Sequence, residues 1–378
     1  MAVEISDPGW MRERLRRHLP AYLRGHARSG VASVAVGPLE RPSGGQSNET
    51  VIFEAAWADG NDRRRERLVL RLQPQGQQMF LHADVLAEGA LLRDISRVSS
   101  VPVPEVLALE DDPGVLGRPF VVMSFVAGHV PGGRPSIHRD PWLESLSPAK
   151  RRQGLVNGLE VLARVHGAEW RAMRPFRSAG LDASLSELGE WFGWAARGRS
   201  YPLIEAAISR LTASRPGNAS TDVLLWGDAR PANIIFADDL SVAAVLDWEM
   251  ASVGPPEADL GWWLMMDEFA RVGAEGDLLE GFPCRTEIVE IFEQASGRRV
   301  GDVDYFELLA AVRLAITLIR AADSLMARGL IPASSRFAQD NVPGQLIAGL
   351  LRVDPPEICP DYRRLSRMSV ATAPKDAR

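Results

Sequence analysis

Two aspartates and an asparagine in the second half of the chain have types and spacing that suit chemistry on phosphates. Asn233 lies five positions after Asp228, and Asp247 follows beyond two short apolar runs. Carboxylate and amide oxygens are hard ligands of the kind that Mg²⁺ takes together with phosphate oxygens and water. In phosphoryl transfer, one carboxylate orients the accepting hydroxyl while an Asn and a second Asp hold the metal. The pattern therefore predicts a Mg²⁺ site at Asn233 and Asp247, with Asp228 on the loop that faces the ion.

The residues between Asn233 and Asp247 predict the element that positions them. Apolar runs 234–236 and 242–246 enclose a polar turn, which is the pattern of an antiparallel hairpin. A hairpin brings its outer ends together, and Asn233 and Asp247 lie at equal distances on either side of Leu240. We therefore expect their side chains to lie side by side. A surface hairpin with incidental acids is the alternative, but the second Asp and the paired apolar runs favour the phosphate-handling interpretation.

The sequence excludes several other nucleotide-binding and metal-binding motifs. The chain contains two lysines, Lys150 and Lys375, and neither follows a glycine, so a Gly-Lys-Ser/Thr phosphate loop cannot form. No G-x-G-x-x-G segment follows a strand-like run, which leaves a dinucleotide-binding domain without support. The two cysteines, Cys284 and Cys359, are too far apart for a CxxC site. A metal-dependent hydrolase using the same acids is a weaker interpretation, because it lacks a ligand set that contains histidine.

Composition and charge narrow the class of partner. The 378 residues carry a formal net charge of −6, whereas binding to a nucleic acid requires clustered basic charge. No apolar run reaches the roughly 18 residues that a membrane-spanning helix needs, and the N-terminus has mixed charge rather than a signal pattern. We therefore expect a soluble, cytoplasmic protein without nucleic-acid or membrane partners. The oligomeric state is not indicated by the sequence.

Hydrophobic periodicity divides the chain into two domains. The first reads as an N-terminal helix followed by short strands with one helix among them, and a turn-rich break after Val126 ends it. The second is mostly helical, and its strong β signal covers residues 223–246. The predicted strands of the first domain are 31–36, 50–57, 68–72, 103–109 and 120–126, with a helix at 81–95; the predicted helices of the second are 148–172, 185–196, 202–212, 258–272, 285–295 and 305–326.

We therefore expect an α+β fold in two parts. Residues 1–127 form an N-terminal helix and a nucleotide-binding N-lobe, which is a small antiparallel sheet with one helix. Residues 128–378 form a larger, mainly helical C-lobe that carries the catalytic loop and the acceptor pocket. The order of strands and helix in the first part resembles the N-lobe of the protein-kinase-like fold.

The catalytic segment resembles a family pattern. Trp226-Gly227-Asp228 through Asn233, followed by Asp247, is similar to the H-G-D-x-x-x-x-N motif and metal Asp of the aminoglycoside-phosphotransferase and choline-kinase-like superfamily. Residues 25–330 most resemble the subgroup that is fused to, or encoded near, acyl-CoA dehydrogenases. Trp226 stands where that motif has a His, whose usual role is to support the loop.

The resemblance implies a fold, a reaction and roles for these residues. It implies a bilobal protein-kinase-like fold with Asp228 as the catalytic base and with Asn233 and Asp247 as Mg²⁺ ligands. The implied reaction moves the γ-phosphoryl group of Mg-ATP, or of GTP, to a hydroxyl group of a small molecule.

The N-lobe contains the candidate nucleotide-binding residues. A glycine-rich run joins two predicted strands, and its backbone N–H groups can approach phosphates. By the resemblance, Arg71 occupies the position of the phosphate-binding lysine of kinases, with Glu88 as its ion-pair partner. The end of the strand at 120–126 resembles the hinge that contacts adenine through backbone groups. The candidate nucleotide-binding residues are Gly44, Gly45, Gln46, Ser47, Asn48, Arg71, Glu88, Ser124, Phe125 and Val126.

Five further residues have two readings each. Glu249 is either a metal or acceptor contact or a solvated acid at a strand end. Asp259 resembles the family's loop-anchoring Asp, and we interpret it as a structural helix N-cap. His166 is expected to be a core histidine near a helix C-terminus rather than a catalytic one. Trp262 and Trp263 are expected to be core aromatics, with lining of the acceptor pocket as the alternative.

Two questions about function remain open at this point. A catalytically silent, nucleotide-binding regulatory module is the alternative to an enzyme, because Trp226 and Arg71 depart from the family pattern. The acceptor is the other question. Residues 251–310 contain 13 acidic residues and 4 arginines, a local net charge of 4 − 13 = −9, which would suit a cationic acceptor such as an aminoglycoside. Solvated helix faces account better for most of these acids, and the subgroup resemblance indicates hydroxylated acyl compounds instead.

Overall fold

The computed structural model describes most of the chain and divides it into two compact units, which we call the N-lobe and the C-lobe. The N-lobe comprises Met1–Gln78, His82–Arg97 and Val103–Ala127, and the C-lobe comprises Met79–Leu81, Val98–Pro102 and Gly128–Arg378. The described residues are 8–25, 31–42, 49–59, 62–75, 78–132, 136–217, 221–274, 276 and 278–371.

The N-lobe is a five-stranded antiparallel sheet with three helices. The strand order is β1-β2-β3-β5-β4, so the last two strands in sequence exchange places in the sheet. The elements in chain order are α1 (Pro8–Arg24), β1 (Ala35–Val36), β2 (Glu49–Asp59), β3 (Asp62–Leu72), α2 (Val85–Val98), β4 (Val106–Glu110), α3 (Pro113–Leu116) and β5 (Phe120–Ser124).

Alternation along β3 separates the N-lobe core from its polar face. Leu68, Leu70 and Leu72 are fully buried, while Val69 and Arg71 point to the other side of the sheet. The buried face packs against α1, where apolar residues recur every four positions and so lie on one face of the helix. These α1 residues are Met11, Leu15, Leu19 and Leu23.

The C-lobe is mainly helical, with two small two-stranded sheets that pair β6 with β9 and β7 with β8. Its elements are α4 (Pro141–Ser145), α5 (Pro148–His166), α6 (Leu181–Ala196), α7 (Pro202–Ala213), β6 (Val223–Leu225), β7 (Ile234–Phe236), β8 (Val242–Val245), β9 (Ser252–Gly254), α8 (Glu257–Gly273), α9 (Arg285–Ser296), α10 (Val303–Ala327), α11 (Val342–Leu351) and α12 (Pro360–Ala371).

The predicted fold class is confirmed, and several element boundaries differ. An antiparallel sheet builds the N-lobe and helices build the C-lobe, as expected for an α+β kinase-like fold. The helix predicted to continue to residue 172 ends at His166, because Gly167 follows and its backbone N–H closes the last turn. The β signal at 223–246 is three short strands separated by loops. Within the described residues, no helix is both long and apolar enough to cross a membrane.

Helices α8 and α10 pack unusually closely in the C-lobe. A Cβ atom added at Gly261 of α8 would lie 2.5 Å from the backbone carbon of Phe306 and 2.7 Å from its Cβ. Only a residue without a side chain permits this approach. The contact fixes the position of α8, which carries the residues that hold the predicted catalytic loop, residues 226–233.

We predict opposite effects of two Gly→Ala changes in C-lobe helices. Gly261→Ala should lower the free energy of unfolding by about 1–3 kcal/mol, because the added methyl group forces α8 and α10 apart. Gly189 of α6 is exposed with no atom near its ideal Cβ position, so Gly189→Ala should raise stability by about 0.5–1 kcal/mol through helix propensity alone. Denaturant unfolding measures both. Equal effects of the two variants would contradict close α8–α10 packing.

Candidate active site

The turn between β6 and the predicted catalytic residue requires a glycine. Gly227 has φ of +90°, which L-residues rarely adopt, and a Cβ atom there would clash with the backbone of Met250. The chain therefore passes tightly under the segment after Asp247 before it reaches Asp228. The requirement for glycine in the middle of the W-G-D motif is steric.

Asp259 anchors this turn from below. Its Oδ2 accepts a hydrogen bond from the backbone N–H of Trp226 at 2.7 Å, and its Oδ1 accepts one from Gly227 at 2.9 Å. His166 Nε2 lies 3.0 Å from the same Oδ2, and both side chains are 1 % exposed. The predicted anchoring role is confirmed, but the predicted N-cap is wrong. Helix α8 begins two residues earlier with Pro256 at its N-cap, so the carboxylate is turned to the loop rather than to its own helix.

Trp226 supports the loop from the position where the family motif has a His. Its ring is fully buried, and its indole Nε1 donates a hydrogen bond to the carbonyl oxygen of Leu246 at 2.7 Å. Leu246 immediately precedes Asp247. Trp226 therefore links the start of the catalytic loop to the strand end that presents the second predicted metal ligand.

Three donors hold the carboxylate of Asp228, whose side chain is 11 % exposed. Trp262 Nε1 donates to Oδ1 at 2.8 Å, and Asn233 Nδ2 donates to Oδ2 at 2.7 Å. Arg230 Nε lies 3.0 Å from Oδ1 and 3.1 Å from Oδ2, so it bridges both oxygens. The orientation of the carboxylate is thus fixed by its own loop and by α8.

The hairpin that carries Asn233 and Asp247 forms with a register that differs from the predicted one. Ile234 pairs with Val245 and Ile235 with Ala244, but Phe236 pairs with Val242, so Ala243 of β8 is an extra residue in a bulge. The extra residue places Asn233 opposite Leu246, whose N–H donates to the Asn233 carbonyl at 2.9 Å. Asp247 is therefore one position beyond the paired residue rather than directly opposite Asn233.

The conformations of Asp247 and Asn233 determine how the two outer ends of the hairpin are arranged in this register. Asp247 adopts the left-handed conformation with φ of +62°, which is uncommon for a residue other than glycine and is enriched at functional sites. Asn233 directs its amide nitrogen to the carbonyl oxygen and to Oδ2 of Asp228, at 3.0 and 2.7 Å. Its amide oxygen consequently points away from Asp228. The side chains of Asn233 and Asp247 therefore do not lie directly opposite each other as predicted: Asn233 bonds to Asp228, and Asp247 follows the neighbouring strand.

The donor set at these two residues fits Mg²⁺. The amide nitrogen of Asn233 is committed to Asp228, which leaves its oxygen for another partner, and the carboxylate of Asp247 follows the adjacent strand end. Both would supply hard oxygen ligands, and a Mg²⁺ ion needs only one or two of them besides phosphate and water. Glu249 lies two residues beyond Asp247 and is partly buried.

The N-lobe forms the predicted ion pair. Arg71 Nη1 lies 2.8 Å from Glu88 Oε1, and the two side chains are 15 % and 3 % exposed. Glu88 is placed by tight packing of α2 on the sheet, because a Cβ at Gly89 would meet Leu109 at 2.6 Å and Val121 at 2.8 Å. The pair is therefore a fixed feature of the sheet rather than a mobile surface contact.

The predicted hinge residues already make internal contacts. Ser124 exchanges two hydrogen bonds with Glu105, one through its backbone N–H and one through its hydroxyl group. The N–H of Phe125 donates to the carbonyl of Arg67, whose guanidinium lies 4.0 Å over the Phe125 ring. Among these three residues, Val126 is therefore the candidate whose backbone N–H would donate a hydrogen bond to the purine ring of a nucleotide. Gly44, Gly45, Gln46, Ser47 and Asn48 lie outside the described residues.

An apolar pocket lies next to the catalytic loop within the C-lobe. Its open volume is about 540 Å³, including solvent at its mouth, and Arg230 reaches it from the loop. Asp267 is its acidic member; burial raises the pKa of this carboxyl, while the hydrogen bond from Arg271 lowers it. The apolar lining comprises Ile137, Leu155, Trp263, Met266, Phe269, Phe282 and Ile288.

Sequence reasoning missed two residues that contact Asp228. Arg230 lies within the motif but carries no spacing signal, because it is one of the unspecified positions between Asp228 and Asn233. Trp262 was assigned to the core, and it is indeed buried. A buried indole N–H needs an acceptor, and that requirement was the available signal.

The sequence and the fold of this chain also match those of known proteins. A family model described as the phosphotransferase enzyme family APH matches residues 38–286, which is more than half of the chain. The chain belongs to the APH phosphotransferase family. This membership supports a small-molecule phosphotransferase of kinase type.

Curated relatives of this APH-family chain are longer proteins. Mouse acyl-CoA dehydrogenase family member 10 is 31 % identical over 251 residues, which cover 65 % of this chain and 21 % of that protein. Human acyl-CoA dehydrogenase family member 11 is 26 % identical over 292 residues, covering 74 % of this chain and 35 % of that protein. The chain thus spans between a fifth and about a third of the length of these relatives.

Solved structures show the same fold at lower identity. A candidate aminoglycoside phosphotransferase from Ralstonia eutropha has a TM-score of 0.62 and 23 % identity, covering 93 % of this chain and 98 % of that one. A thermostable mutant of the aminoglycoside phosphotransferase APH(4)-Ia, in a ternary complex with AMP-PNP and hygromycin B, has a TM-score of 0.54 and 13 % identity, with coverages of 89 % and 98 %. These matches establish the APH fold.

We predict that the anchor at Asp259 is a large contributor to stability. Asp259→Asn replaces one oxygen by an N–H donor, so at least one of the three donors around it loses its acceptor. The free energy of unfolding should fall by about 2–4 kcal/mol, since a hydrogen bond to a charged group contributes about 1.5–3 kcal/mol. The exposed Asp182→Asn is the control and should change stability by less than about 0.5 kcal/mol. Similar unfolding curves for the two variants would show that Asp259 is not an anchor.

Proposed function

We propose that this chain transfers the γ-phosphoryl group of a Mg²⁺-bound nucleoside triphosphate, ATP or GTP, to a hydroxyl group of a small molecule. The observation that carries the proposal is the buried Asp228 carboxylate, held by three donors and hydrogen-bonded to Asn233. Membership in the APH family and the nucleotide complex of the neighbouring APH(4)-Ia support the same reaction class.

Asp228 has the surroundings required of a general base in this reaction. Phosphoryl transfer depends mostly on positioning and on charge neutralisation, so the base must keep a fixed orientation. In the proposed mechanism, Asp228 accepts a hydrogen bond from the acceptor hydroxyl and takes its proton as the oxygen bonds to the γ-phosphorus. The bond from that phosphorus to the bridging oxygen breaks, and the nucleoside diphosphate leaves. Asn233 and Asp247 would hold Mg²⁺, which neutralises charge on the nucleotide phosphates when it is bound.

Arg71 is proposed to contact the α- and β-phosphates from the N-lobe. Glu88 holds its guanidinium at 2.8 Å, which is the pairing that a phosphate-binding cation needs to keep its position. Arginine presents planar N–H donors that match phosphate oxygens, so it can serve in place of a lysine. The proposed nucleotide contacts also include the backbone of Val126 and the loop Gly44 to Asn48.

The two departures from the family pattern do not favour a silent regulatory module. Trp226 is buried and bonded to Leu246, so the loop support supplied by a His in the family has a counterpart here. Arg71 forms the ion pair expected of the missing lysine. An enzyme is therefore the better-supported proposal.

The acids of residues 251–310 are a weak argument for a cationic acceptor. Several of them are already paired with arginines: Asp267 with Arg271, Glu287 with Arg152, Glu293 with Arg299, and both Asp304 and Glu307 with Arg285. The pocket beside Arg230 is mostly apolar instead. We infer a hydroxylated metabolite with an apolar portion as the acceptor, in preference to an aminoglycoside.

A screen of the purified chain with Mg²⁺ and γ-labelled ATP or GTP tests this function. Two pools of acceptors are compared, one of hydroxylated metabolites with apolar groups and one of aminoglycosides. Label is expected in the first pool. Label in the aminoglycoside pool alone would overturn the proposed acceptor class, and label in neither pool would overturn the proposed reaction.

We predict that Asp228→Asn lowers kcat by at least ~10²-fold while nucleotide affinity stays near that of the wild type, because the carboxylate acts on the acceptor. Quench-flow kinetics and calorimetry with MgADP measure the two quantities. Turnover near the wild-type rate would remove Asp228 from the mechanism.

We predict that Arg71→Ala raises KM for ATP and lowers kcat, at a combined cost of about 2–4 kcal/mol in kcat/KM. The cost should shrink when Glu88 is already Ala, because the partner that positions Arg71 is gone. Arg71→Lys should not exceed the wild type, because the site is adapted to a planar donor.

Arg65→Ala is the matched control for the Arg71 variants. Arg65 is on the same strand, is 68 % exposed and pairs with Glu54 at 3.4 Å, so its loss should leave kcat/KM unchanged. If Arg71→Ala behaves like Arg65→Ala, Arg71 does not bind the phosphates.

A further inference from the structure

Trp262 contacts the catalytic loop from helix α8. Its indole Nε1 donates to Asp228 Oδ1 at 2.8 Å, and the ring is buried. Three residues earlier on the same helix, Asp259 holds the backbone of the same loop. A hydrogen bond from a buried N–H to a carboxylate is stronger than one between neutral groups, and an indole ring has little freedom to move. Trp262 is therefore a rigid contact to the proposed base.

The three donors to Asp228 differ in how firmly they are held. Asn233 is buried, but its amide nitrogen is directed to Oδ2. The Arg230 side chain is 28 % exposed and bridges both oxygens. Trp262 is thus the buried donor to Oδ1. Its hydrogen bond gives Oδ1 a different donor from that of Oδ2, which accepts from Asn233.

A cation lies over the ring of Trp262. The guanidinium carbon of Arg313, on α10, is 5.0 Å from the ring centroid. Burial lowers the pKa of Arg313, while the charges of Asp259, Asp228 and Glu187 act in the opposite direction. A cation over an indole face draws electron density from the ring. The N–H of Trp262 becomes a better donor to Asp228 as a result.

Close packing of α8 and α10 makes the stack possible. A Cβ atom at position 261 would lie 2.5 Å from the backbone carbon of Phe306, so glycine allows α8 to lie close against α10. Arg313 lies seven residues, about two helical turns, further along α10. Trp262 and Arg313 are thereby brought together by backbone geometry. The stacked pair does not depend on a mobile loop.

We propose that Trp262 and Arg313 form a positioning pair for Asp228. Trp262 fixes the orientation of the carboxylate through Oδ1, and Arg313 holds the indole and strengthens its donor group. This inference rests on the proposed phosphoryl transfer and names two residues that act through the base without touching the nucleotide.

Measurement of kcat and KM for Trp262→Phe, with the acceptor that the screen identifies, tests the pair. Phenylalanine keeps an apolar ring but lacks the N–H, so kcat should fall about 10- to 100-fold through misplacement of the base. KM for the nucleotide should stay within about twofold, because the phosphate contacts are elsewhere. Trp194→Phe is the matched control: Trp194 is also on a C-lobe helix, with Arg320 4.3 Å over its ring, and its variant should keep wild-type kcat.

Variants of Arg313 test the second member. Arg313→Gln should lower kcat by about 3- to 10-fold. In the Trp262→Phe background the same change should cost less than about twofold, because the donor that it strengthens is absent. Arg313→Lys keeps a cation over the ring and should restore most of the activity. Equal costs of Arg313→Gln in both backgrounds would show that Arg313 does not act through Trp262.

A nuclear magnetic resonance measurement tests the contact without activity. The indole ¹⁵N–¹H signal of Trp262 should shift upfield in Asp228→Asn and exchange faster with solvent deuterium, because its acceptor loses its charge. The signal of Trp194 should not change. An unchanged Trp262 signal would overturn the contact.

The outcomes separate this proposal from the function on which it rests. Wild-type protein that transfers no phosphoryl group to any acceptor overturns the proposed function and the positioning role together. Active wild-type protein, with Trp262→Phe as active as Trp194→Phe, overturns the positioning role alone. A fall in kcat accompanied by a similar loss of nucleotide affinity also counts against it, since that pattern indicates a general structural defect.

Discussion

The candidate active site depends on one buried carboxylate. Asp259 accepts hydrogen bonds from two successive backbone N–H groups of the catalytic loop and contacts His166, so three donors converge on a side chain that solvent does not reach. Burial of a carboxylate with fewer hydrogen bonds would cost free energy. The loop is therefore held against α8 in this one arrangement. Position 227 must therefore be a glycine, because the turn that Asp259 holds leaves no room for a Cβ atom beside the backbone of Met250.

Helix α8 therefore has two functions in the C-lobe. Its first turn holds the backbone of the loop through Asp259, and the next residues along it place Trp262 against the carboxylate of Asp228. Because Gly261 allows close packing of α8 and α10, this helix contact helps to fix the position of Trp262 and so of the Asp228 carboxylate. Close packing also fixes the Arg71–Glu88 pair in the N-lobe, where α2 lies against the sheet at Gly89.

Local patterns in the sequence were sufficient to predict the fold class and to select candidate residues for the site. Alternation and helical spacing indicated a sheet followed by helices, and the Asp228, Asn233 and Asp247 spacing indicated the site. The hairpin register could not be predicted, because neither the centre of the turn, with Ala237 bonded to Ser241, nor the extra residue Ala243 has a compositional signal. The contact of Trp262 with Asp228 could not be predicted from spacing either, since it joins residues more than thirty positions apart. Sequence periodicity indicates which face of a helix is buried, but not which residues that face contacts.

Phosphorus NMR of the wild-type chain in ¹⁸O-enriched water, with MgATP and pooled hydroxylated acceptors, tests the central claim most directly. If Asp228 activates an acceptor hydroxyl, the γ-phosphate signal should decay while a phosphomonoester signal grows, and the new signal should carry no ¹⁸O isotope shift because its bridging oxygen comes from the acceptor. Removal of Mg²⁺ with EDTA should stop both changes. A γ-phosphate signal that persists, or that is converted only to ¹⁸O-containing inorganic phosphate, would contradict phosphoryl transfer to a small-molecule hydroxyl.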